Sequence, residues 1–210
     1  MNHPHLQIVI GSTRPGRRGD VVARWFHDAA IRHDRFDVEL IDLAEVGLPL
    51  LDEPQPSGRG PYTQDHTRRW SQQISAGHAY VFVVPEYNHS YNAATKNALD
   101  YLKDEWRHKP IAFVSYGGSA AGARAVEALV PVVVALDMKP LGKAVHIPRI
   151  GRMVTDEGVL RTDERLDASA LSLLDELYDH VASWQRKGNQ DNVVVESGFG
   201  DRRRRAEQGA

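Results

Sequence analysis

Short runs of branched apolar residues alternate along this chain with segments whose apolar positions recur at helical spacing. Leu6 to Ile10 has the length and branching of a buried strand, and Val21 to Ile31 repeats apolar residues as a helix does. FDVELIDL, residues 36–43, alternates as a strand with one face more covered than the other. Proline and glycine then crowd Leu48 to Tyr62, which predicts a long surface loop before a helix from about Thr63 to Ala76. Ala79 to Val84 is a near-continuous apolar strand stopped by Pro85. A helix from about Ala93 to Leu102, the strand IAFVSYGG (residues 111–118), a helix from about Gly122 to Leu136 and a weaker strand near KAVHIP (143–148) follow. Pro131 is expected to kink its helix. The last long helix is predicted from about Glu164 to Arg186, with a core-facing stripe in LSLLDELYDHVASW. Strands separated by helices imply parallel pairing with right-handed crossovers, hence a doubly wound three-layer α/β sandwich.

In such a sheet a ligand lies beyond the carboxyl ends of the strands, where strand order reverses. Three unusual loops fall there: GSTRPGRRG after the first strand, PEYNHSYN after the third and YGGSAAG after the fourth. The first lacks the glycine spacing of a dinucleotide fingerprint and the Gly-Lys of a triphosphate loop. Its residues suit a terminal monophosphate: Ser12 and Thr13 offer hydroxyls, and Arg14, Arg17 and Arg18 offer charged donors at the start of a helix. A solvated basic turn with Ser or Thr capping the helix accounts for the same residues. In the second loop Tyr87 and Asn88 stand where a planar ring would lie, Asn92 is expected to cap the next helix, and Ala93 and Ala94 leave room for a bulky ligand. Ordinary packing at the core edge also explains Tyr87 and Tyr91, and Glu86 reads equally as a solvated or capping carboxylate.

The 210 residues fit one domain, expected over 1–186, with a flexible tail over 187–210. A formal charge of -2 suggests neither nucleic acid nor an anionic membrane as partner, and the Arg202 to Arg205 run reads as part of a solvated tail. The lack of cysteine removes thiolate chemistry and disulfides. Ten histidines show no metal-ligand spacing, so no metal site is expected. The opening MNHPHLQIVIG has no signal-peptide pattern, and a cytoplasmic protein is expected.

Taken together, GSTRPGR, PEYNHSYNAATKNALDYL and SYGG resemble the NADPH-dependent FMN reductase family of flavodoxin-like proteins, whose members include quinone, azo-dye and chromate reductases. The resemblance covers residues 6–185. It implies a flavodoxin-like sandwich with a five-stranded parallel sheet, FMN as cofactor, NADPH or NADH as co-substrate and a small-molecule electron acceptor such as a flavin, quinone or azo compound. It implies that Ser12, Thr13 and Arg14, with Arg17, Arg18 or Gly19, hold the FMN phosphate. Pro85, Glu86, Tyr87 and Asn88 would contact the ring and ribityl chain, and Ser115, Tyr116, Gly117 and Gly118 would lie along the other side. Many members carry a small hydroxyl or an asparagine where this chain has Arg17 and Gly19, so details of the phosphate site are expected to differ. With the chemistry on the flavin, no catalytic side chain is expected. A homodimer or homotetramer is implied as well. Two other functions fit the same fold: a flavodoxin-like electron carrier, which the near-neutral charge disfavours, and a flavin-based redox sensor.

Overall fold

The computed structural model describes residues 3–184. The domain boundary expected at 186, the tail and its arginine run lie outside the described residues. Five strands, β1 (His5–Ile10), β2 (Asp37–Asp42), β3 (Ala79–Pro85), β4 (Pro110–Tyr116) and β5 (Lys139–Ile147), form one parallel sheet in the order β2-β1-β3-β4-β5. This is the flavodoxin-like arrangement that the resemblance implied. Strand order reverses between β1 and β3, so the crevice opens at the carboxyl ends of these strands.

β3 and β4 are buried on both faces along their whole length, which is why AYVFVVP and PIAFVSY read as unbroken apolar runs. Helix α1 (Gly19–His33) and the last helix, described over 164–184, cover one face of the sheet. Helices α3 (Asp65–Ser75), α4 (Ala93–Asp100) and α5 (Ala123–Ala135) cover the other. On that second face Trp106 is fully buried and meets Tyr80 and Phe82 edge-on, at centroid distances of 5.1 and 6.1 Å.

Several boundaries differ from the sequence expectation. α1 begins at Gly19, two residues early, and α4 ends at Asp100 rather than Leu102. β5 starts at Lys139, ahead of the apolar run near Ala144, and its pairing with β4 shifts register between Ile111 and Phe113. Two single-turn helices, α2 (Leu43–Val46) and α6 (Ile150–Met153), carry too few residues for a periodic signal. The 48–62 loop holds no helix or strand, and it is fastened down. Asn97 takes the Leu51 N–H on Oδ1 at 2.9 Å and donates from Nδ2 to the Pro49 carbonyl at 2.6 Å.

Candidate functional site

The loop after β1 owes its path to a buried polar knot. The Gly11 N–H donates to the Val83 carbonyl at 2.9 Å, and Asn92 Nδ2 donates to the Gly11 carbonyl at 2.6 Å. Thr95 Oγ1 in turn donates to Asn92 Oδ1 at 2.8 Å. A side chain at residue 11 would bring its Cβ within 2.3 Å of Thr95 Oγ1, so only glycine allows this approach. Asn92 stands at the N-cap position of α4 as expected, but its side chain makes no cap hydrogen bond. The expectation of a capping role is corrected: the amide is spent on joining two site loops.

Residues from four loops line one cleft of about 340 Å³ at the switch point. Ser12, Arg14, Arg17 and Arg18 come from the first loop, Pro85, Glu86 and Tyr87 from the second, and Tyr116 and Gly117 from the third. Ile150 of α6 closes the cleft from a fourth segment that the sequence did not nominate. The α1 N-terminus opens at the same place with acceptor-free N–H groups; its N-cap, Arg18, makes no side-chain cap bond. Gly19 is buried as the first helical residue, and a Cβ there would stand 2.6 Å from the Tyr116 hydroxyl.

The remaining nominated residues sit elsewhere. Thr13 faces a neighbouring groove of about 410 Å³, lined mainly by apolar and small residues of α2, the 47–50 segment and α4. Asn88 is exposed, with φ of 49° followed by 68° at His89, in the tight turn closed by reciprocal Tyr87 and Ser90 backbone bonds. Ser115 is fully buried, its Oγ 2.9 Å from the Ala121 carbonyl and 2.7 Å from His146 Nδ1, which holds the β4–α5 turn in shape. Gly118 is exposed, and its carbonyl accepts the Arg149 N–H at 2.8 Å, fixing the approach to α6.

The charges in the cleft are unevenly used. Arg17 donates to Asp42 through both terminal nitrogens and to the Ser12 carbonyl at 2.9 Å, so this guanidinium shapes the loop. The Asp42 partner, at the end of β2, carries no sequence signal because the pair forms across 25 residues through strand pairing. Arg124, at the start of α5, donates from Nε to Glu86 Oε1 at 2.6 Å. The other Glu86 oxygen, Oε2, is buried with no partner among the described residues. So is the hydroxyl of Tyr116, which is 5% exposed. Ser12 Oγ lies 2.8 Å from the Tyr87 hydroxyl beside it. Burial pushes the Tyr116 phenol well above the ordinary tyrosine range; the neighbouring Ser12 hydroxyl opposes this, and Tyr87 and the Asp20 carboxylate add to it. Tyr116 therefore remains a neutral O–H donor. A helix N-terminus, neutral hydroxyls and an exposed arginine make a donor-rich cup that matches a phosphomonoester. Donors without protein acceptors are what that ligand requires, so these residues fit the phosphate of FMN.

Residues 4–151 match the model of the family described as NADPH-dependent FMN reductase. An NAD(P)H-dependent FMN reductase of Schizosaccharomyces pombe is 40% identical over 121 residues, covering 57% of this chain and 60% of the relative. One from Saccharomyces cerevisiae is 32% identical over 165 residues, covering 73% and 85% respectively. The chain thus spans less than two thirds of the first of these and most of the second. The solved flavoenzyme NAD(P)H:(acceptor) oxidoreductase FerB of Paracoccus denitrificans shares the fold, with a TM-score of 0.67, 20% identity and coverage of 86% of this chain and 98% of that one. Through the family match and the motifs that line its cleft, this chain belongs to the NADPH-dependent FMN reductase family.

Proposed function

We propose that the protein is an FMN-dependent NAD(P)H oxidoreductase that reduces a small-molecule acceptor such as a flavin, quinone or azo compound. The observation that carries this reading is the switch-point cleft, where the unpaired Tyr116 hydroxyl, Ser12, Arg14 and the α1 N-terminus converge. Relatives named as an azoreductase and a quinone reductase support the choice of acceptor class. FMN, when bound, supplies the hydride-accepting ring nitrogen and the onward delivery of electrons. The residues of this chain bind and orient. Ser12 and Arg14 would hold the phosphate, with Thr13 at the loop's outer side, and Arg17 and Gly19 would fix the cup's shape. Pro85, Glu86, Tyr87 and Asn88 would flank one side of the ring and the backbone of Tyr116, Gly117 and Gly118 the other, with the Tyr116 hydroxyl turned to the phosphate and Ser115 bracing that loop.

A homodimer or homotetramer in the cytoplasm completes the reading. The apolar groove beside Leu50 and Leu51, 81% and 45% exposed, supports self-association. No helix among the described residues is long and apolar enough to cross a membrane. The test is an absorbance spectrum after FMN loading and removal of excess, then anaerobic addition of NADPH or NADH. Retained yellow flavin that bleaches with either nucleotide is the expected result. Retained flavin that does not bleach overturns the reductase reading in favour of a carrier or sensor. Sedimentation at micromolar concentration, expected to exceed the monomer mass, tests the assembly.

A further inference from the structure

The arginines around the cleft divide into two groups. Arg17 and Arg124 are paired with Asp42 and Glu86. Arg14 and Arg18 line the cleft, and among the described residues neither has a carboxylate within ion-pair reach. Arg18 does not trail into solvent at random. Its Nη1 lies against α6, 2.9 Å from where a Cβ on Gly151 would stand, so the missing side chain makes the seat. Gly151 is flanked in α6 and its cap by Ile150, which lines the cleft, and by Arg149 and Arg152, both exposed and without an ion-pair partner among the described residues.

Asp20, at the start of α1, pairs with Arg24 through Oδ2, and its Oδ1 is buried with no partner among the described residues. Arg18, Arg149 and Arg152 thus come to one edge of the cleft at Gly151, and among the described residues none of the three is in an ion pair. The inner phosphate requirement is already met by the α1 N-terminus, Ser12 and Arg14. A second anion, at the outer edge, is what the arrangement lacks.

We propose that Arg18, seated at Gly151 and supported by Arg149 and Arg152, recognises the 2′-phosphate of the nicotinamide co-substrate and so selects NADPH over NADH. The assignment rests on the oxidoreductase reading above. A guanidinium offers a planar pair of donors to a phosphomonoester, and it is the residue type that accommodates a 2′-phosphate in other nucleotide sites. An NADH molecule leaves the rim charges unmatched.

The test uses the FMN-loaded protein and two adenosine ligands that differ only in the 2′-phosphate, adenosine 2′,5′-bisphosphate and AMP, in calorimetry at fixed ionic strength. The 2′,5′-bisphosphate is expected to bind about tenfold tighter or better than AMP, the effect of one charged hydrogen-bonding contact. Arg18→Ala is expected to bring that ratio close to one, Arg18→Lys to restore part of it, and Arg152→Ala to lower it by a smaller factor. The ratio of kcat/KM for NADPH to that for NADH is expected to fall in parallel. Equal binding of the two ligands by the unaltered protein overturns the proposal. So does an Arg18→Ala protein that keeps its preference, or one that loses FMN and so reveals Arg18 as a ligand of the inner phosphate. Failure of the parent reading looks different: no bleaching by either nucleotide, whatever the adenosine ligands do, overturns both.

Discussion

Two buried tyrosines on neighbouring strands show how differently the two ends of the sheet are finished. Tyr80, near the amino end of β3, is fully buried; it donates to the Ile74 carbonyl at 2.7 Å and accepts from Lys109 Nζ at 3.0 Å. Lys109 also donates to the Ile74 and Ser75 carbonyls, both at 3.2 Å, closing the end of α3. Tyr116, at the carboxyl end of β4, is nearly as buried, and among the described residues its hydroxyl has no partner. An orphaned buried hydroxyl costs stability, about 1–3 kcal/mol. One end is closed by its own bonds, and the other leaves donors for a ligand.

The largest effect is expected where the open end is most tightly supported. In Gly11→Val the new Cβ would meet Thr95 Oγ1 at 2.3 Å and the Val83 carbonyl at 3.2 Å, and neither is the free end of a flexible chain. Destabilisation of about 3 kcal/mol is expected, together with loss of FMN retention. Chemical denaturation and a flavin-retention assay check it. Retained flavin in a protein of unchanged stability would show that the Gly11, Asn92 and Thr95 knot does not fix the cup.

The tyrosines themselves give the next two effects, which differ in sign. Tyr80→Phe leaves the Ile74 carbonyl and the Lys109 ammonium short of a partner, and a loss of about 1–3 kcal/mol is expected, with FMN affinity unchanged. Tyr116→Phe removes a hydroxyl with nothing to bond in the flavin-free protein, so stability there is expected to hold or to rise by up to about 1 kcal/mol. Its FMN affinity is expected to drop severalfold while riboflavin, which lacks the phosphate, binds as before. Fluorescence titration with the two flavins, beside denaturation curves, separates these outcomes. Equal destabilisation by both substitutions would erase the contrast between the ends.

This contrast also governs what the sequence disclosed. Strands β3 and β4 were legible because burial on both faces demands unbroken apolar runs, and the three site loops were legible because they fall at strand ends with glycine, proline and hydroxyl residues. The first four residues of β5 were hidden, since an edge strand beginning Lys139-Pro140 and passing Gly142 and Lys143 is largely open to solvent. Pairings were hidden for a different reason. The engagement of Arg17 by Asp42, of Asn92 by the Gly11 carbonyl and of Arg18 by the notch at Gly151 depends on neighbours set by strand order, which no local pattern encodes. Composition therefore located the cup but could not separate arginines that shape it from those left free.

Acid provides the smallest and most discriminating probe, because each end carries one histidine whose pKa is lowered below the ordinary 6.5. For His78 the causes are burial, then the charges of Lys109 and His5; for His146 burial leads and Glu127 opposes it. A lowered folded pKa means that the unfolded chain takes up the proton first. Stability is therefore retained above 6.5 and lost as pH falls through 6.5 toward the folded value. The bonding differs, however. His78 Nδ1 accepts the His5 N–H at 3.0 Å, so a proton on that nitrogen breaks the contact. At the other end the Ser115 hydroxyl can give its hydrogen to the Ala121 carbonyl and accept one from His146 Nδ1, so protonation at Nε2 leaves the bond in place. Denaturation midpoints at about pH 7.5 and about pH 5.5 are expected to fall with acid, with His78→Gln removing more of that dependence than His146→Gln. A larger flattening by His146→Gln would place the acid-sensitive contact at the cleft and reverse the assignment of the amino end as the one closed by its own bonds.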